Sequence, residues 1–202
     1  VLIAHGKLPP FIATLGTMQI FRSVTQHLTQ HANPSVPKGF LQIANLKIGS
    51  FYIMPILYWL AIAAVLYVVS KRTTFGRHVF AVGSNIRTAR LSGINVNKVI
   101  SITFFIGGAL AAVSGICYAS AYPQVEVYMG SWLGNMSFVA AVLGGIGDIR
   151  GAMLGGFILG IAQIFATAIN STFGYAVGFI ILIVILLVKP AGIMGKLTTE
   201  KV

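Results

Sequence analysis

The chain has 202 residues, 56% of them hydrophobic and only 8% charged, with a mean hydropathy of +0.88. So little polar surface cannot cover a soluble globule of this length, and the chain belongs in a bilayer. Its formal charge of +11 does not indicate nucleic acid, because the Lys and Arg flank apolar runs instead of lining one wet face with stacking aromatics.

Val1 to Ala4 read as the tail of an apolar segment, so the chain is expected to be the C-terminal part of a longer protein, with residues 1–202 forming a single membrane domain. Phe11 to Phe21 is apolar but short, preceded by Pro9-Pro10 and followed by Arg22. It can be a short span, half of a discontinuous helix, or a span lengthened through Arg22 by snorkelling. The stretch from His27 to Lys47 reads as an outside loop. His27 and His31 have helical spacing, but no third ligand is near and no metal site is expected.

Tyr52 to Val69 is uncharged and ends at Lys71-Arg72, which predicts a span, since about 20 apolar residues cross the hydrocarbon core. The next stretch, Ser70 to Lys98, holds Lys71, Arg72, Arg77, Arg87, Arg90 and Lys98 and no Asp or Glu. Lys and Arg collect on the cytoplasmic side, so this loop sets the orientation. Val99 to Tyr122 predicts the next span, with Cys117 inside it as a small core residue that has no disulfide partner. Val127 to Gly147 predicts another, with regular helix only in its middle.

Gly151 to Val188 carries no charge and is about twice the length of one crossing. It must reverse, and Asn170-Ser-Thr172 with Gly174 is its one polar, turn-forming cluster. Two antiparallel helices follow, Gly151 to Ile169 and Gly174 to Val188, the second ended by Lys189-Pro190. Counting from a cytoplasmic Ser70–Lys98 loop, Asp148 and Arg150, then Lys189, Lys196 and Lys201, all fall inside. The predicted fold is an all-α, polytopic membrane bundle of about six segments with a cytoplasmic C-terminus.

Small residues recur at Gly107-Gly108, Ala111-Ala112 and Gly115, and at Gly151, Gly155-Gly156 and Gly160. Such spacing lets helix backbones approach in lipid. Gly144, Gly145 and Gly147, clustered at a span end, can also form a hinge.

The chain has three carboxylates, Glu126, Asp148 and Glu200, and no two share a span. A carboxylate dyad or an intramembrane protease site has no support, and proton-coupled transport is weakened. Pro190 to Leu197 approaches a phosphate-binding loop but lacks its first Gly and final Ser or Thr, and it follows a helix. The chain therefore reads as no enzyme and calls for no cofactor; any ATP is bound by another subunit.

Gly76-Arg77, Ala81-x-Gly83-x-Asn85 and Ala89-Arg-Leu-Ser-Gly-Ile-Asn-Val-Asn-Lys-Val99 resemble the cytoplasmic loop of permeases from bacterial ABC importers for branched-chain amino acids and monosaccharides. Phe138 to Gly147, Gly151 to Gly156 and Lys189 to Gly195 are similar to the branched-chain amino-acid permeases. Leu8 to Met18 and Thr74 to Gly83 look more like the ribose and galactose type. The resemblance implies a dimeric helical pore in the inner membrane, made of two like or unlike permease subunits. It also implies cytoplasmic ATP-binding subunits and an extracytoplasmic solute-binding protein as partners, and no nucleic acid.

The same resemblance makes residues 70–98 a coupling loop, with Gly83, Asn85, Arg87, Ala89, Arg90, Gly93, Ile94 and Asn95 as its working positions. Gly83 and Gly93 would bracket a short helical piece, and the arginines could pair with acidic groups on a partner. Polar groups inside spans are costly unless they face a cavity or a partner, which makes Asn135, Gln163 and Asn170 candidates for a solute path, with Ser114 and Thr167 behind them. A monosaccharide importer and an ion-coupled secondary transporter are the alternatives. The orientation is testable: with Cys117 removed, a Ser84→Cys variant should react with a membrane-impermeant thiol reagent only once the cytoplasmic face is opened, and labelling in intact cells would reverse the topology.

Overall fold

A computed structural model describes residues 3–195 apart from 5, 7, 31, 34, 38, 40–46, 49, 50, 53 and 123, in two compact units, Val1–Met129 and Gly130–Val202. His31, Lys196, Glu200 and Lys201, which entered the sequence reading, lie outside the described residues.

In the first unit, α1 (Pro10–Leu28) starts with Pro10 at its first position, where a missing N–H removes no hydrogen bond. It continues through Arg22 without a break and is not among the helices apolar enough to cross a bilayer. Two-residue strands β1 (Lys47–Ile48) and β2 (Phe51–Tyr52) pair antiparallel ahead of α2 (Met54–Arg72). The basic side chains of Lys71 and Arg72 fall inside the last turn of α2, where they suit the negative end of the helix dipole.

Three further helices are described in this unit: α3 (Thr74–Ser84), α4 (Ile86–Leu91) and α5 (Val96–Ala121). The Ser70–Lys98 loop is thus largely helical. Thr73 makes the corner between α2 and α3: its hydroxyl donates to the Val69 carbonyl at 2.6 Å and accepts from the Gly76 N–H at 3.2 Å. A Cβ on Gly76 would run into the Ser70 and Val69 carbonyls, so only glycine permits this corner.

The second unit contains α6 (Met129–Gly144), α7 (Ile149–Ile169) and α8 (Ser171–Val188). One residue, Asn170, joins α7 to α8, with its side-chain oxygen accepting from the Thr172 N–H at 3.0 Å. The reversal predicted near Asn170 is therefore sharper than a four-residue turn. Val139, 1% exposed, packs with Met136 and Leu159 against Trp132, Ala140, Ile181 and Leu182, which makes a core shared by all three helices. Trp132 also meets Tyr175 edge to face at 4.7 Å between ring centroids.

The close approach of α6 and α7 depends on glycine. A Cβ on Gly155 would strike the Ala140 carbonyl and lie 2.9 Å from the Gly144 nitrogen, and Gly144 and Gly151 exclude side chains from each other's backbone. Gly107, Gly108, Gly115 and Gly160 have open space around them instead, so tight packing applies to only part of the small-residue pattern. An open apolar face carries no penalty in lipid, where the surrounding chains are as apolar as a helix neighbour.

Beyond α8 the chain returns to the end of α6. Gly192, at φ 80°, turns it, and the N–H groups of Ile193 and Met194 donate to the carbonyls of Leu143 and Gly144 at 2.9 and 3.0 Å. The Lys189 ammonium donates to the Ile193 carbonyl at 2.7 Å. These bonds satisfy carbonyls that the end of a helix otherwise leaves orphaned.

Among the described residues, four helices are long and apolar enough to cross a bilayer: α2 from Pro55, α5, α7 and α8. At 16 residues α6 is about 24 Å long, short of the hydrocarbon thickness, and the second half of α1 is polar, with Gln19, Arg22, Ser23, Thr25, Gln26 and His27. The packing of α6 on α7 gives a direct test. Gly155→Val should destabilise the detergent-solubilised protein by about 1–3 kcal/mol through overpacking, while Gly160→Val should stay within about 0.5 kcal/mol in the same thermal-unfolding assay.

Candidate coupling site

The residues of the Asn85–Asn95 pattern each have an identifiable job in shaping α4. Asn85 is its N-cap: the side-chain oxygen accepts from the N–H groups of Arg87 and Thr88 at 2.9 and 3.1 Å. At the other end Gly93 adopts φ 78°, and the Gly93 and Ile94 N–H groups bond back to the carbonyls of Arg90 and Ala89, both at 3.1 Å. That pair of bonds is a Schellman cap, which needs a left-handed residue at the turning position. Asn95 then caps α5 by accepting from the Lys98 N–H at 3.1 Å. Asn85 and Gly93 thus fix where a six-residue helix starts and stops, which a helix this short could not do by itself, and Asn95 starts the next one.

Beneath α4 lies a small apolar core. Val82, Ala89, Val96 and Val99 are buried together, with Phe75, Val79, Ala81, Ile94 and Ile100 packed around them. Ala89, 3% exposed, is the residue of α4 that points into it. Leu91 is 89% exposed, and Ile86, Arg87 and Arg90 are exposed as well. The outward face of α4 therefore combines two guanidinium groups with two bare aliphatic side chains on a rigid base. Guanidinium groups pair bidentately with carboxylates, and exposed aliphatics next to them suit a protein surface better than water. Gly83 is exposed with open space around it, at the end of α3 just before this helix.

Across residues 1–188 the sequence matches the family described as branched-chain amino acid transport system, permease component. The chain belongs to this permease family. Members of it are the non-catalytic part of their ABC transporters, with the ATPase on a separate subunit. LivH, a high-affinity branched-chain amino acid transport system permease protein, is 37% identical in Escherichia coli K12 and 43% identical in Salmonella typhimurium LT2. Each match covers 97% of this chain and 67% of the relative. The ribose import permease RbsC of Haemophilus influenzae is 33% identical over 79% of this chain and 53% of its own length. No solved structure matches.

Of the other permease positions singled out by sequence, Ser114 is exposed on α5 in the first unit, and those in the second unit do not form one constellation. Asn135 is exposed on α6, Gln163 is half-buried on α7, and no hydrogen bond joins them. The Asn170 side chain is engaged as the cap of α8, and the Thr167 hydroxyl donates to the Gln163 carbonyl at 2.8 Å. Gly144, Gly145 and Gly147 make the corner between α6 and α7, with Gly145 and Gly147 at φ 109° and 94°. Asp148 closes that corner by capping α7, its carboxylate accepting from the Arg150 N–H at 2.9 Å.

Sequence reasoning missed two features, the return of residues 192–194 onto α6 and a polar cluster around Arg22, Gln26 and Tyr128. Arg22, directly after the apolar run Phe11 to Phe21, was the available signal for the second; backbone pairing left none for the first. The caps of α4 predict separable effects. Gly93→Val forces a β-branched residue into left-handed backbone at a cost of about 1–2 kcal/mol, and Asn85→Ala removes a cap worth about 1 kcal/mol. Both should speed proteolysis between Ser84 and Asn95 while the membrane-embedded fragments stay protected.

Proposed function

We propose that this permease forms the translocation path for branched-chain amino acids in the bacterial inner membrane, receives its solute from an extracytoplasmic binding protein, and is driven through α4 by cytoplasmic ATP-binding subunits. The outward face of α4 carries this reading: Arg87, Arg90, Ile86 and Leu91 stand on a packed base, with no acidic residue from Ser70 to Lys98. A topology anchor needs basic charge but neither a capped helix nor exposed Leu91. Rigid-body motion of a nucleotide-binding partner can push on such a helix, and its small core passes the displacement to α3 and α5.

The path runs alongside a second permease subunit, like or unlike, with Asn135 and Gln163 offering polar groups to the solute. Asn170 stays at the rim, since its side-chain oxygen is already used. Gly144, Gly145 and Gly147 act as the hinge between α6 and α7, a role that suits the left-handed backbone of Gly145 and Gly147. With the C-terminus cytoplasmic, the return of residues 192–194 onto α6 holds this hinge at the inner face.

Branched-chain amino acids are preferred as substrate because the LivH relatives match over 97% of this chain, against 79% for the ribose permease. In proteoliposomes with the cognate ATPase and binding protein, leucine, isoleucine or valine should accumulate with ATP while ribose and galactose do not. Arg90→Glu should abolish solute-stimulated ATP hydrolysis without changing the amount of permease inserted. Sugar uptake would move the substrate within the importer class, survival of coupling in Arg90→Glu would reduce the loop to an anchor, and uptake driven by an ion gradient without ATP would reject the importer.

A further inference from the structure

At the end of α5 remote from α4 there is a polar cleft that the reading above leaves unused. Gln26, Asn33, Glu126, Val127 and Tyr128 line a cavity of about 320 Å3. Three stretches of chain meet there. The Gln26 amide nitrogen donates to the Tyr128 hydroxyl at 2.9 Å, and Ser35 and Gln124 form an antiparallel bridge that fastens the stretch beyond α1 to the stretch beyond α5. The Arg22 guanidinium lies over the Tyr128 ring, 5.1 Å from its centroid.

The placement and the charges both matter. With 26 residues α5 is about 39 Å long, so its two ends stand on opposite sides of a hydrocarbon core of about 30 Å. On the orientation proposed above, the cleft opens to the extracytoplasmic face. Glu126 is the one carboxylate in residues 1–129, and Arg22 is the one Lys or Arg within α1. Arg22 follows the run Phe11 to Phe21 directly and is half-buried. Its guanidinium is held over the ring of Tyr128, which with Glu126 and Val127 lines the cleft.

We propose that this cleft is a receiving subsite for a free zwitterionic amino acid. The Glu126 carboxylate accepts hydrogen bonds from the α-ammonium. The Gln26 and Asn33 amides donate to the α-carboxylate, which the positive charge of Arg22 on the Tyr128 ring also attracts. Val127 and Tyr128 meet the aliphatic side chain. An uncharged monosaccharide can hydrogen-bond to these groups but gains no charge pairing from them, so the cleft favours amino acids over sugars. The proposal rests on the importer reading and adds a place where its solute first meets the permease.

Glu126 is exposed, and Glu126→Gln keeps its shape while removing its charge. In the full-length transporter assembled with ATPase and binding protein, this variant should lower leucine uptake about tenfold, the loss expected for one charge-assisted hydrogen bond. ATP hydrolysis stimulated by leucine-loaded binding protein should stay at the parent level. Unchanged uptake overturns the proposal. So does a parallel loss of uptake and stimulation, which would make Glu126 a docking contact for the binding protein. As a second measurement, an Asn33→Cys variant lacking Cys117 should react with a small water-soluble thiol reagent, and leucine under turnover should slow that reaction several-fold. Absence of protection there overturns the proposal even if Glu126→Gln fails to assemble. Failure of the parent transporter to take up leucine with ATP would instead reject the importer reading itself.

Discussion

Inside hydrocarbon a backbone N–H or C=O has no water to bond, so each helix must satisfy its own polar groups and the difficult chemistry collects at helix ends. This chain meets that demand with a small set of residues. Asn85, Asn95, Asp148 and Asn170 accept from the first N–H groups of four different helices, and Thr73 does the same for α3. At the other ends Gly93 turns the chain back onto α4, while the N–H groups of Ile193 and Met194 cover the last carbonyls of α6. The corners are consequently short and well defined, and short corners make stiff connections between helices.

Stiffness matters at α4. A loop of basic residues with no fixed shape could anchor topology, but force from a partner would be lost in its flexibility. Ala89 and its neighbours bury an apolar surface under α4, which ties the helix to α3 and the first turn of α5. On the proposed mechanism, a displacement at Arg87 or Arg90 therefore moves a 26-residue membrane helix as one body.

Much of the architecture was legible in the sequence because membrane burial writes it in length and charge. The span expected from Val99 to Tyr122 is the helix Val96–Ala121, and the reversal expected near Asn170 is there. The offsets have a cause: Lys71, Arg72 and Lys98 sit within terminal turns, where long side chains reach water, so charge marks a helix end only to within a turn. The packing of the second unit was only half legible. Gly151 and Gly155 seat α7 against α6, yet Gly160 in the same series faces open space, because spacing reveals a smooth face but not what meets it. The pairing of residues 193–194 with 143–144 was hidden altogether, since backbone hydrogen bonds between loops leave no trace in side-chain pattern. Of the candidate site, the capping residues could be read as a pattern, whereas the burial of Ala89 and the exposure of Leu91 required the fold.

The distribution of polar groups bears on where selectivity resides in the proposed importer. A path through α6, α7 and α8 has amides and hydroxyls but no charged side chain between Met129 and Ile146 or between Gly151 and Val188. Such a surface lets a solute pass without holding it, because neutral hydrogen bonds contribute little net free energy once water is displaced. A zwitterion, however, loses strong hydration of both charged groups on leaving water, and that loss has to be offset by charged groups of the protein. In the proposed subsite, Glu126 offsets the loss at the ammonium and Arg22, held over the Tyr128 ring, offsets it at the carboxylate. On that proposal, discrimination between an amino acid and a sugar rests on charge pairing in the cleft beside α5, and neutral hydrogen bonds elsewhere need only let the solute pass.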